Sequence, residues 1–255
     1  MADAETDRVL QRFVSEVQHA VPTVAVWAHG SLAMGDFQPG RSDLDLVAVC
    51  ENPLSRDQRR GLVRVHRRLL GEEPAAAKLR CSYMVGAAVS EAEARHVTWV
   101  PSTILERPVT PVTRRELFES GLVLQGPSPV ELLPPLRPRQ LEDFILRDLA
   151  EYWLPATGRP WLWLQDIWVD VGLLVLARAT VTLRDGRLIT KGDALVELQK
   201  LGAPADVVRD IHDRRYAHPA PVNGVVRRVR RAAKARAFLR SGIERTLAAS
   251  GKGAE

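Results

Sequence analysis

Two aspartates, Asp43 and Asp45, stand one residue apart in the apolar run "DLDLVAV" at 43–49. On a strand, residues two apart share a face. Both carboxylates then point one way while Leu44 and Leu46 point the other. Two carboxylates held that close repel, and burying them bare is costly, so a cation must sit between them. Hard divalent ions suit such ligands. Mg²⁺ in particular keeps waters and takes phosphate oxygens as its remaining ligands. That is the chemistry of phosphoryl or nucleotidyl transfer, in which the metal neutralises a triphosphate and helps pyrophosphate leave.

Gly30 and Ser31 lie just upstream, where the β-branched run "TVAVWA" ends and a segment that can start a helix begins. Amides at a helix N-terminus bind phosphate, and glycine lets the backbone approach closely. Ser31 and Ser42 add hydroxyls for the same anion. A surface turn and an edge strand with solvated acids would use the same residue types. Two motifs, each attached to a strand, favour the nucleotide site.

The elements that position these residues read as follows. Val9, Leu10, Phe13, Val14 and Val17 mark an amphipathic helix. Residues 23–28 and 43–49 are strands, 56–70 a helix and 78–85 ("KLRCSYMV") a third strand. "VTWVPSTILERPVTP" reads as a proline-punctuated loop region, followed by a short helix near 114–119. "LVLQGPSPVELLPPLRPRQ" reads as a domain boundary. Beyond it the periodicity is helical only. Leu141, Phe144, Ile145, Leu149 and Tyr152 share one face, and a long helix spans about 165–183. Thr190 caps the next helix, Gly202 closes it, and two more follow. The expected architecture is α/β (α+β): a domain over 1–130 with a small mixed sheet, then an all-α bundle over 137–250.

Composition narrows the class. The 255 residues are 45% hydrophobic and 26% charged, with net charge +5 and two cysteines, Cys50 and Cys81. Two cysteines make neither a disulfide framework nor a thiolate zinc site. The acidic, amphipathic start does not read as a secretory signal, and no apolar run reaches membrane-spanning length. A cytoplasmic monomer with no membrane partner is the expectation. Much of the positive charge sits in "VVRRVRRAAKARAFLR". Val222, Val225, Val226, Val229, Ala232 and Ala233 fall at helical spacing there, which favours an apolar stripe with solvated arginines opposite over a nucleic-acid face. No aromatics interleave with the charges, so nucleic acid is not an expected partner.

"HGSLAMGDFQPGRSDLDL" resembles the signature of the DNA polymerase β-like nucleotidyltransferase superfamily. "DVGLLVLARATVTLRDGRLITKGDALVEL" resembles the C-terminal domain of the aminoglycoside 3″-adenylyltransferases, which inactivate streptomycin and spectinomycin. The resemblance implies Asp43 and Asp45 as catalytic Mg²⁺ ligands, and Gly30, Ser31 and Ser42 against the triphosphate of ATP. It implies Arg178, Lys191 and Tyr216 reaching ATP from the helical domain. Trp99, Trp163 and Asp166 would bind a small cationic amino-sugar acceptor. Arg178 in an apolar helix needs an anionic partner in any case, and Asp166 or Asp170 is the local alternative to a phosphate. Trp153, Trp161, Trp163 and Trp168 are equally suited to a bundle core.

One departure stands out. The family places a general-base Glu on the third strand, and here the matching position is Arg80. Glu72 and Glu73 precede the strand and need a shifted alignment. His29, beside the Gly-Ser pair, is a candidate base. The implied activity is transfer of AMP from Mg-ATP to an aminoglycoside hydroxyl. A protein-modifying (AMPylating) nucleotidyltransferase and a catalytically weak nucleotide binder are the alternatives.

Overall fold

A computed structural model describes residues 3–88, 91, 93–217 and 224–251. The chain divides into two compact units, Met1–Arg137 and Pro138–Glu255.

The first unit is built on β1 (Thr23–His29), β2 (Leu44–Cys50), β3 (Leu79–Val85), β4 (Arg95–Val100), β5 (Thr103–Pro108) and β6 (Leu122–Gln125). They form one mixed sheet in the order β5-β4-β3-β2-β1-β6. Only β2 and β3 pair in parallel. Helix α1 (Ala4–Ala20) starts at Asp3, whose side chain accepts the Thr6 amide. Helix α2 (Arg56–Glu72) starts at a reciprocal Ser55/Gln58 capping box. Val9, Phe13 and Val17 of α1 and Leu62 and Leu69 of α2 bury against Leu44, Leu46 and Tyr83 on one sheet face. Helix α3 (Pro111–Ser120) and the short α4 (Pro129–Leu132) belong to the opposite face, where Leu117 and Leu133 pack on Trp27, Val47 and Met84.

Two segments differ from the sequence reading. The expected loop after β3 holds the β4–β5 hairpin. Pro101 and Ser102 form its two-residue turn, with Ser102 at φ +74°, and Pro108 ends the second strand. The prolines thus sit where no ladder hydrogen bond is lost. The start of the expected linker is β6, an edge strand on β1, anchored nearby by Trp27 Nε1 donating to the Pro127 carbonyl at 2.7 Å.

The second unit is helical: α5 (Pro138–Asp148), α6 (Leu154–Thr157), α7 (Asp166–Asp185), α8 (Lys191–Lys200), α9 (Ala205–Tyr216) and α10 (Val225–Gly251). A π-helical turn at Leu149–Trp153 joins α5 to α6 and shifts the expected face, so Leu141, Ile145 and Leu149 are buried but Tyr152 is 52% exposed. Gly186 ends α7 at φ +68°, and a Thr190/Asp193 capping box starts α8. The stripe expected on α10 is not its buried face. Val225, Val226 and Val229 are exposed, while Arg231, Ala232, Ala235, Leu239 and Ile243 are buried. Val222 lies outside the described residues. No helix among the described residues is long and apolar enough to cross a membrane.

Candidate active site

The register fixes the site. His29 on β1 is the partner of Asp45 on β2, and Asp45 is the partner of Arg80 on β3. Paired residues share a face, so the three side chains form one row across the sheet. Asp43, two residues before Asp45, joins that face, and its Oδ2 lies 3.0 Å from Arg80 Nη2. The face is the one that α3 covers. From α3, buried Glu116 brings Oε2 within 2.9 Å of His29 Nδ1. An ionised carboxylate only accepts, so Nδ1–H is the donor in this contact.

Gly30 begins the loop at φ +66°, and a Cβ built on it would lie 3.2 Å from Asp45 Oδ2. Glycine thus suits the left-handed backbone, and any side chain here would also crowd the carboxylate. The expected helix start after Ser31 is instead a single tight turn. The Met34 amide donates to the Gly30 carbonyl and the Asp36 amide to the Ser31 carbonyl, each at 2.9 Å. Ser42 is 3% exposed, and its hydroxyl accepts the Gln38 amide at 3.0 Å. Its observed contact holds the loop closed.

The two carboxylates suit a hard divalent ion. Among the described residues no third His, Cys, Asp or Glu joins them as a ligand set. Such an ion would be held by Asp43 and Asp45 and would draw its other ligands from phosphate and water, as Mg²⁺ does. Arg80 competes with such an ion for Asp43 Oδ2. Glu72 and Glu73 do not substitute for a carboxylate on β3. Glu73 pairs with Arg8 at 3.1 Å and Arg12 at 3.3 Å, and Glu72 with Arg12, all toward α1. Those hydrogen bonds, Arg8's first, hold the Glu73 carboxyl below the usual range.

The acceptor residues need correction. Trp99 pairs with Cys81, which pairs with Leu46, so it faces away from the aspartates. It is 2% exposed and stacks on His66 with centroids 4.5 Å apart. Trp163 is wholly buried. Its Nε1 donates to the Ala156 carbonyl at 2.9 Å, and a Cβ on Gly172 would come within 2.9 Å of its ring. Neither indole offers a face to a solute. Asp166 starts α7 and pairs with buried Arg231 at 2.5 Å. In this segment Trp161 is the indole with an open face, at 62% exposure.

The residues assigned to ATP from the helical unit are brought together around the start of α8. Arg178 Nε donates to the Ile189 carbonyl at 3.0 Å, two residues before Lys191. The expected local acids are engaged elsewhere, Asp170 with Arg214 at 2.5 Å and Asp166 with Arg231. Burial nevertheless raises the Asp170 carboxyl above its ordinary range despite Arg214. Tyr216, with the Arg215 guanidinium 5.3 Å from its ring centroid, lines a cavity of about 530 Å³ with Gly192, Leu195, Gln199, Val208 and His212.

Two functional candidates escaped the sequence reading. Glu116 lies in a helix whose pairing with His29 has no local signal, since the two are 87 residues apart. Arg107 lay in the segment read as loop. On β5 it follows Leu105 by two residues, and Leu105 pairs with Thr98 and Thr98 with Ser82. That parity puts Arg107 on the face of Arg80. Burial first, then the Arg80 charge, lower its pKa, and Asp45 opposes them.

Residues 10–122 match the family model described as a nucleotidyltransferase domain. None of the curated proteins matches the sequence. Among solved structures, the fold is similar to that of spectinomycin adenyltransferase AAD(9) from Enterococcus faecialis, solved with ATP and spectinomycin. The TM-score is 0.72 at 11% identity, over 93% of this chain and 99% of that one.

Proposed function

We propose, from the match of residues 10–122 to the nucleotidyltransferase-domain model and from a fold similar to that of an adenyltransferase, that the protein transfers AMP from ATP to a hydroxyl of an aminoglycoside or related amino-sugar. The observation that carries this reading is the row of His29, Asp45 and Arg80, with Asp43 beside it and Gly30 packed against Asp45. When bound between Asp43 and Asp45, Mg²⁺ supplies charge neutralisation for the triphosphate and for the departing pyrophosphate. The Gly30–Ser31 turn receives the phosphates. The acceptor oxygen attacks the α-phosphorus in line, the bond to the β-phosphate oxygen breaks, and pyrophosphate leaves. The acceptor proton passes to His29 Nε2, with Glu116 fixing the ring through Nδ1 and stabilising the imidazolium. Within the helical unit, Arg178, Lys191 and Tyr216 are read as the nucleotide residues and the exposed Trp161 as the indole for the cationic acceptor. AAD(9) supports the amino-sugar class because its structure contains spectinomycin as well as ATP.

The test is incubation with Mg²⁺ and α-labelled ATP, with spectinomycin, streptomycin and other aminoglycosides in separate reactions. Label on a drug is expected. Label on protein instead would favour the protein-modifying reading, and label on neither would count against transfer. A weak nucleotide binder is the second reading, favoured by Arg80 standing against Asp43.

A further inference from the structure

Two guanidinium groups share the carboxylate face. Arg80 is bonded to Asp43, yet its Nε is buried with no hydrogen-bond partner. Arg107 is partly buried, and its side chain makes no hydrogen bond or ion pair among the described residues. Ser82 and Thr98, bonded to each other at 3.0 Å, lie on the same face in the row between theirs. Two neighbouring cations repel each other, and an anion that meets both relieves that repulsion. Asp43 pairs with Arg80 and the Asp45 charge acts on Arg107, so the two acids offset the two guanidiniums. Guanidinium is the side chain best shaped to grip phosphate oxygens in a fork. The charge count points the same way. Asp43, Asp45, Arg80 and Arg107 cancel, so a triphosphate meets no net repulsion before any metal arrives.

We propose that Arg80 and Arg107 form a phosphate clamp that holds the triphosphate of ATP without metal, and that Arg80, on turning from Asp43 to the phosphate, frees the carboxylate for the cation. The proposal rests on the nucleotide-site reading above. It assigns an order, nucleotide first and divalent ion second. It also gives Arg80 a positive role at the position where the related enzymes carry an acid.

The test is calorimetric titration of ATP into the full-length protein and its Arg80→Gln and Arg107→Gln variants, in excess EDTA and again with Mg²⁺. Wild type is expected to bind ATP in EDTA, and each variant to lose about tenfold or more of that affinity. Arg80→Gln is further expected to bind Mn²⁺ alone more tightly, because Asp43 is released. Arg80→Lys and Arg107→Lys keep the charge without the fork. They stand in, with a smaller expected loss, should a Gln variant fail to fold. Binding by wild type only when Mg²⁺ is present, or metal-free binding unchanged in both variants, overturns the clamp and leaves the transfer reading intact. Absence of ATP binding under either condition overturns both.

Discussion

Gly30 answers to two neighbours at once, its own backbone and Asp45. Alanine there would sit at a φ that costs an L-residue about 1–2 kcal/mol, with its Cβ pressed on the Asp45 carboxylate at 3.2 Å. Gly30→Ala is therefore expected to lower the melting temperature modestly and to abolish the proposed transfer, since the carboxylate that moves is the one proposed to hold the cation. A variant with wild-type turnover would show that Asp45 is not held by this contact. His66 gives a second prediction at this scale. Buried between Phe13, Tyr83 and Trp99, its Nε2 lies 2.6 Å from the Tyr83 hydroxyl, and burial pushes its pKa down to about 3. The unfolded chain takes a proton near pH 6.5, while the folded chain does not until about 3. The unfolded state thus binds more protons in that window, and this contribution to stability is lost as pH falls from 6.5, by about 1.4 kcal/mol per unit. Denaturant titrations at pH 7.5 and 5.5 should show a smaller difference in His66→Phe than in wild type. Equal differences would mean another group sets the slope.

Among the elements, those with strong periodicity or clear caps were legible in the sequence. α1, α2, α7 and α8 stand close to where Val9 to Val17, the stretches 56–70 and 165–183, and Thr190 place them. The β4–β5 hairpin was not, because Pro101 and Pro108 look like breakers until pairing shows one in the turn and the other at a strand end. The α10 face was misread because a valine stripe and an arginine run compete at the same spacing. The structure buries Arg231 against Asp166 and leaves the valines outside. Trp163 and Trp161 could not be told apart in sequence, since both are indoles near the start of α7. Their burial now separates them. Trp163→Ala should destabilise the helical unit by about 3–5 kcal/mol. Trp161→Ala should leave stability unchanged and raise the acceptor KM while sparing the ATP KM. Matching effects of the two variants on stability would contradict this packing.

For the whole molecule, the sheet brings together what the chain keeps apart. Asp43 and Asp45 announced themselves through period-two spacing, and Gly30 through its place at a strand end. Neither Glu116 nor Arg107 carried such a signal, because their relation to the site is made only by strand order and by α3. That Arg80 stands where the resembled family carries an acid was legible, but its consequence was not. Only the register shows Arg80 in one row with Asp45 and bonded to Asp43. The central claim is that these two aspartates hold a cation and that the cation holds the triphosphate. ATP affinity should therefore be measured in wild type and in Asp45→Asn, each with and without Mg²⁺. The account predicts that Mg²⁺ strengthens ATP binding in wild type and that this gain disappears in Asp45→Asn while the fold is kept. An equal gain from Mg²⁺ in both proteins would contradict it.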